Sequence, residues 1–256
     1  MSAIYIIALS TFREAIRSKV LYSVFMFAAI VCIAASLFGR VTIGDQAQVV
    51  VSFGLFCCSL FSIAYIIFAG AAIFAKEISR RTIITLLAKP IARYQVLIGK
   101  WLGLSVTATL LATVMSATLA LYMGIFFENK TKVIVAAATF FVPEIFCVAA
   151  LIILFSSIVV TPLFVGCFTF GVFLAGRSAS SIQQLTGLVD ASSVQFLLSG
   201  LHALVPKFEY LYMADRLMAG ESAQFDAYIS AFSYGLGYSI LILCISTLFF
   251  SRREFH

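Results

Sequence analysis

Charge is what this chain has least of. Lys and Arg number 17 and Asp and Glu 11 in 256 residues, 11% in all, against 62% hydrophobic residues and a mean hydropathy of +1.10. An ordinary soluble domain is roughly 25% charged and about 45–50% apolar. One water-facing globule of this length would therefore expose apolar surface with no charges to cover it. No stretch long enough for a sizeable soluble domain remains, because the charges are clumped and long uncharged runs separate them. Histidine is equally scarce, with only His202 and His256. Gly103-Leu104-Ser105 is a lone short motif with no positioned base, so an intramembrane protease or acyltransferase lacks its constellation. The six cysteines (Cys32, Cys57, Cys58, Cys147, Cys167 and Cys244) lie inside apolar runs. They show neither metal-ligand nor disulfide spacing and read as small buried hydrophobes. The one Gly-Lys pair, Gly99-Lys100, has Tyr94 where a phosphate-cradling loop needs its first glycine and Trp101 where it needs Ser or Thr, so the chain does not hydrolyse ATP itself.

What is present is a set of bilayer-length apolar runs. A spanning helix needs about 20 such residues to cross a hydrocarbon core roughly 30 Å thick. The sequence predicts an all-α polytopic membrane protein, a single transmembrane domain over 1–256. Its six spans fall at about 20–39, 53–75, 101–127, 133–156, 161–176 and 227–250. The fourth and fifth share a run of 44 residues whose single charge is Glu144, and a tight turn is expected at 156–162. The stretch 188–206 carries Asp190 and His202. It is expected to form short re-entrant or interfacial helices before the sixth span, since a full crossing with those groups is costly. The first apolar run already contains Arg13, Glu14, Arg17 and Lys19, unlike a cleavable signal peptide.

Basic residues near span ends set orientation. Eleven of the 17 fall on the side of the termini and the 76–100 loop, and six on the other. Both termini are therefore expected in the cytoplasm. That side holds eleven basic and three acidic residues (Glu14, Glu77, Glu254), net +8, and the remainder is net −2. The overall charge of +6 is thus a topology signal and does not mark a nucleic-acid surface. Ahead of the first span, residues 2–19 read as an interfacial helix. Ile4, Ala8, Phe12 and Ala15 repeat at helical spacing, with Arg13 and Arg17 one turn apart and Glu14 beside them. Such a helix buries one face at the acyl boundary and offers its cations to anionic lipid. The competing reading is that the first span simply begins early.

The loop between the second and third predicted spans is the most informative segment. It mixes Ile83, Ile84, Leu86 and Leu87 with Arg80, Arg81 and Lys89, and breaks at Pro90, which has no amide hydrogen and disfavours helix in the residue before it. A solvated loop has no need of that apolar face, so lipid headgroups or a partner must cover it. Here Glu77, Thr82, Leu86-Leu87, Pro90-Ile91, Arg93 and Gly99-Lys100 closely resemble the signature of ABC type-2 permeases, the membrane subunits of ATP-driven exporters. The resemblance covers nearly the whole chain. Residues 11–21 look like the subgroup associated with maturation of multicopper enzymes such as nitrous oxide reductase.

The resemblance implies a coupling helix at 76–89 that docks on a separate ATPase subunit. That subunit would carry the ATP and magnesium, so this chain binds no cofactor of its own. It further implies a homodimer of permeases in a bacterial inner membrane, contacting lipid and in some arrangements a periplasmic partner. In that reading Glu77 pairs with a cation on the amino-terminal helix; the local alternative is Arg80 or Arg81 at helical spacing. A secondary transporter would predict inverted repeats, and none is visible. A haem-assembly permease would be a branch of the same family.

Glu144, next to Pro143, has two readings. A carboxylate at mid-span faces a cavity or partner and marks a pathway, while one nearer the outer interface is merely cheap. The outer segment, with Pro206-Lys207-Phe208-Glu209-Tyr210 and Asp215-Arg216, reads as short helices that cap the exit or hold the assembly together.

Overall fold

The computed structural model describes residues 3–17, 26–27, 29–30, 33–34, 46–79, 92–126, 131–159, 161–178, 205–206, 208 and 225–252. Among them every regular element is helical. In chain order these are α1 (Ala3–Arg17), α2 (Gln46–Ser79), α3 (Arg93–Phe126), α4 (Thr131–Ile158), α5 (Pro162–Arg177) and α6 (Phe225–Arg252). Four of them, α2, α3, α4 and α6, are long and apolar enough to cross a bilayer. The expected fifth span is α5, whose 16 residues rise only ~24 Å, short of the hydrocarbon core. The expected first span lies mostly outside the described residues. Within it Met26, Phe27, Ala29, Ile30, Ile33 and Ala34 are helical, and Phe27 packs edge-on against Phe61 of α2 with centroids 6.2 Å apart.

Two helices begin earlier than their hydropathy suggests. α2 starts at Gln46 rather than 53, and α3 at Arg93 rather than 101. The cause is local: no Gly or Pro interrupts 46–52, and no Pro follows Arg93 before the apolar run begins at Trp101. Each then has 34 residues, ~51 Å of rise, so both must tilt or project beyond the hydrocarbon. The turn between α4 and α5 falls where expected. Thr161 is extended (φ −75°, ψ 117°) and Pro162 occupies the first helical position, where its missing N–H costs nothing.

Hydroxyl side chains survive in this apolar setting by donating to their own helix. Ser62, Thr107, Ser116, Ser157, Thr169, Ser239 and Ser246 each donate to the carbonyl four residues earlier. In lipid, where no water competes, that local bond is the available way to satisfy them.

α4 is the central helix. Seven consecutive residues, Cys147 to Ile153, are all at most 4% exposed, which requires cover on every side of a helix. It packs against α2, α3, α5 and α6. By contrast α6 buries one stripe, Ala231, Gly235, Ser239, Ile242, Ser246 and Phe250. Its first three members are small. Small residues at four-residue spacing let two backbones approach, the main packing device between membrane helices. Gly235 lies directly against Pro143 of α4: a Cβ there would come 2.5 Å from the Pro143 Cβ. The Cys147 thiol reaches the Gly235 carbonyl at 3.5 Å just below.

This seam predicts opposite outcomes for two neighbouring glycines. Gly235→Ala forces α6 off Pro143 and should cost ~1–3 kcal/mol through overpacking. Gly237 has nothing within 4 Å of its would-be Cβ. Gly237→Ala should therefore be neutral or stabilising by up to ~1 kcal/mol, the usual gain on replacing a helical glycine. Thermal unfolding midpoints of the purified protein in detergent check both; equal midpoints for the two variants would contradict the seam.

Candidate functional site

Two places in the bundle concentrate chemistry or close contact. The first is where α1 meets the beginning of α3. A Cβ on Gly99 would come 2.8 Å from the Ile7 Cβ and 3.1 Å from the Ile4 carbonyl oxygen. One turn on, a Cβ on Gly103 would come 2.6 Å from the Thr11 Cβ and 2.8 Å from the Ala8 carbonyl oxygen. Gly99-Lys100-Trp101-Leu102-Gly103 is thus a Gly-x-x-x-Gly stripe that admits the α1 backbone. Both contacts advance by four residues in the same direction, so α1 runs in the same sense as α3 over this turn. Ile7 and Thr11 are buried in the seam, Val96, Leu97 and Lys100 lie buried beside it, and Tyr5, Ile6 and Arg13 are exposed.

The contact face of α1 is therefore centred on Ile4, Ile7, Ala8 and Thr11. The sequence reading placed Ile4, Ala8, Phe12 and Ala15 on a face toward lipid; of these Ile4 and Ala8 also take part in the contact with α3. Phe12 and Glu14 are half-buried, and Arg17 is the last helical residue. Of the residues assigned to ATPase coupling, Glu77 lies in the last turn of α2 and Arg93 opens α3. Arg80, Arg81, Thr82, Leu86, Leu87 and Pro90 lie outside the described residues, as does the expected coupling helix beyond Ser79. The pairing of Glu77 with a cation lies outside the described side chains.

The second place surrounds Glu144. It sits at the middle of α4, ~20 Å from either end, and is 1% exposed. Its Oε1 accepts from Arg177 Nη1 at 3.0 Å, and its Oε2 accepts from the Ser59 hydroxyl at 3.1 Å. The same Arg177 nitrogen donates to Ser59 Oγ at 3.2 Å, and the guanidinium lies 5.7 Å from the centroid of the Phe56 ring. Helix geometry brings these residues level. Glu144 is ~21 Å back from the α4–α5 turn and Arg177 ~22 Å beyond it, so antiparallel packing places them side by side.

Glu144 is thus held inside the subunit, in a three-helix knot of α2, α4 and α5. Arg177 had been counted with the outer basic residues, and Ser59 and Phe56 carried no sequence signal of their own. A charged residue falling one helix length from an intramembrane carboxylate was the clue available. Beyond Arg177 the chain folds back: Phe208, fully buried, packs on Phe173 at 5.4 Å, and Pro206 and Phe208 close over Gly176. Only these parts of the expected exit cap are described; residues 188–204, Lys207, Glu209, Tyr210, Asp215 and Arg216 lie outside the described residues.

Removing one member of a buried ion pair leaves the other charge uncompensated, at about 3–5 kcal/mol, whereas replacing both is far milder. Arg177→Gln should accordingly destabilise the purified protein by that order, and Glu144→Gln/Arg177→Gln by much less. Denaturation of the three proteins in one detergent tests this. A double variant as unstable as the sum of the single changes would contradict the pairing.

The family described as ABC-2 family transporter protein matches residues 5–255. That match takes in nearly all of α1 and α2 to α6 together with the segments between them. It is to the family as a whole and does not single out the multicopper-maturation branch. No curated protein matches the chain. With a match over almost its entire length, on an all-helical bundle with four bilayer-length helices, the chain belongs to the ABC-2 family of transporter membrane proteins.

Proposed function

We propose that this chain is the permease subunit of an ATP-driven exporter in a bacterial inner membrane. Two copies form the substrate pathway, and each couples to a separate ATPase that binds ATP and magnesium. The observation that carries the reading is the family match over residues 5–255. The close packing of α1 on the first turns of α3 supports the mechanical part. The coupling loop enters α3 through Pro90 and Arg93, so a push on that loop arrives at the base of α3. With Gly99 and Gly103 in backbone contact with α1, α3 cannot shift there without moving α1. Two segments that receive force from an ATPase in this reading thus move as one body.

α3 in turn packs against α2 and α4. Movement at the inner end is passed into the bundle through dense side-chain contact, which transmits displacement because packed interiors are nearly incompressible. The surface helix and coupling helix, the six-span topology with both termini inside, and the exit cap complete the assignment. An ATP-independent secondary transporter would use neither the loop nor a partner enzyme.

The test is purification of the native assembly followed by turnover measurements. An ATPase subunit should co-purify in equal amount with this chain, and its reproducible absence would favour the ATP-independent reading. In the reconstituted complex, Glu77→Gln and Pro90→Ala should each lower transport-linked ATP hydrolysis about tenfold, within the ~1–3 kcal/mol typical of coupling between distant sites. Wild-type coupling in both variants would overturn the assignment of residues 76–93.

A further inference from the structure

We infer that the Glu144–Arg177–Ser59 knot is a latch: it pins the carboxyl-terminal end of α5, together with the Phe208 contact, to α2 and α4, and it has a discrete open state. The inference begins with how α5 is attached. Its buried residues are Val165, Thr169, Phe173 and Gly176, a single stripe. Much of the rest of its surface is exposed, including Leu163, Phe164, Phe170 and Leu174, and a Cβ on Gly171 would meet nothing within 4 Å; Val172 and Phe168 add partial contacts, Phe168 on Phe155 of α4 with centroids 5.8 Å apart. Of the four buried residues only Val165 and Phe173 bring substantial apolar bulk. Against lipid even that bulk gives little net drive, since acyl chains are as apolar as the side chains they replace.

The specific hold on the end of α5 is therefore polar. Arg177 Nη1 reaches both Glu144 Oε1 at 3.0 Å and Ser59 Oγ at 3.2 Å, so one nitrogen joins α5 to α4 and α2 together. The guanidinium is 20% exposed while the carboxylate is 1% exposed. The acid belongs to the packed body, and the base arrives from the lightly held helix. Because one nitrogen makes both bonds, withdrawing the guanidinium breaks them together, and hydrogen bonds weaken steeply with distance, so the contact is either made or broken. Pro206 and Phe208 rest on Gly176 and Phe173, both within about one turn of Arg177, so the end of α5 that the pair holds also carries their contacts. Only the use to which opening is put rests on the transport reading; the contact itself requires no nucleotide.

Hydrogen–deuterium exchange on the full chain in lipid nanodiscs reads the latch without a reporter mutation. Arg177→Gln should raise exchange at residues 171–177 about tenfold and leave α2 and α4 at wild-type rates, as expected when one segment opens locally. Glu144→Gln and the double variant should match it, because each removes the same contact. The double variant, which buries no orphan charge, keeps the comparison available where a single variant fails to fold. Unchanged exchange at residues 171–177 in the double variant, or an equal rise across α2 and α4, would overturn the latch. In the complex with its ATPase, a non-hydrolysable nucleotide should raise exchange at 171–177 in the wild type and add little in the variants. No nucleotide effect in an intact complex would show that the latch does not open in the cycle. Should no ATPase co-purify, the transport reading fails while the comparison among variants still decides the latch.

Discussion

A carboxylate buried at mid-bundle can persist only if something nearby cancels its charge, and that requirement orders the centre of this protein. Glu144 occupies the helix that packs against four others, one residue after the proline on which α6 closes. Its partner must come from a neighbouring helix, at the same depth, with a cation long enough to reach inward. α5 meets all three conditions because its length from the turn at Pro162 matches the distance back to Glu144. The shortness of α5 is then no defect. A helix of bilayer-spanning length would carry a residue at its terminus past the acid, and the pair could not form there.

The bundle uses two opposite kinds of attachment. At the amino-terminal end of α3, and again between α4 and α6, glycines let backbones meet directly, and the contact is made of many small van der Waals terms. Such contacts have no intermediate separation that retains their energy over a wide surface, so they behave as rigid joints. Among the described residues, the polar attachment at the end of α5 joins one guanidinium to Glu144 and Ser59, and its energy is concentrated near a point. Rigid joints suit parts that transmit displacement. A point contact between charges suits a part that must hold firmly and then let go.

Hydropathy made most of this architecture legible. The long uncharged runs locate α2, α3, α4 and α6, and the turn expected at 156–162 precedes α5, which begins at Pro162. What the runs did not fix was where helices continue past the lipid: Gln46 and Arg93 begin their helices outside the apolar windows because helix formation needs only an uninterrupted backbone ladder. The contact face of α1 with α3 was not legible for a physical reason. An amphipathic reading maximises apolar area toward lipid, whereas the observed face is selected by fit, with Thr11 and Ala8 small enough to lie on glycine. The stripe Gly99-x-x-x-Gly103 stood in the sequence, but its first glycine was read as part of a loop signature and its second as part of a serine motif. Arg177 went unpaired because counting basic residues for topology assigns every cation to water.

That last misassignment bears on how intramembrane charges in such bundles are best approached. A cation at a predicted span end is normally free to turn toward solvent or headgroups, and its count then reports orientation alone. When the span it closes is too short to reach the interface, that freedom disappears. The cation is left near the hydrocarbon, and only an internal acceptor makes its position tolerable. α5, at ~24 Å, is such a span. The pairing of Arg177 with Glu144 therefore follows from three quantities available before any coordinates: the length of the span, the identity of its last residue, and the position of the lone acid on the adjoining helix. The same three quantities explain why replacing either residue alone is costlier than replacing both, because each offsets the other's charge at that depth.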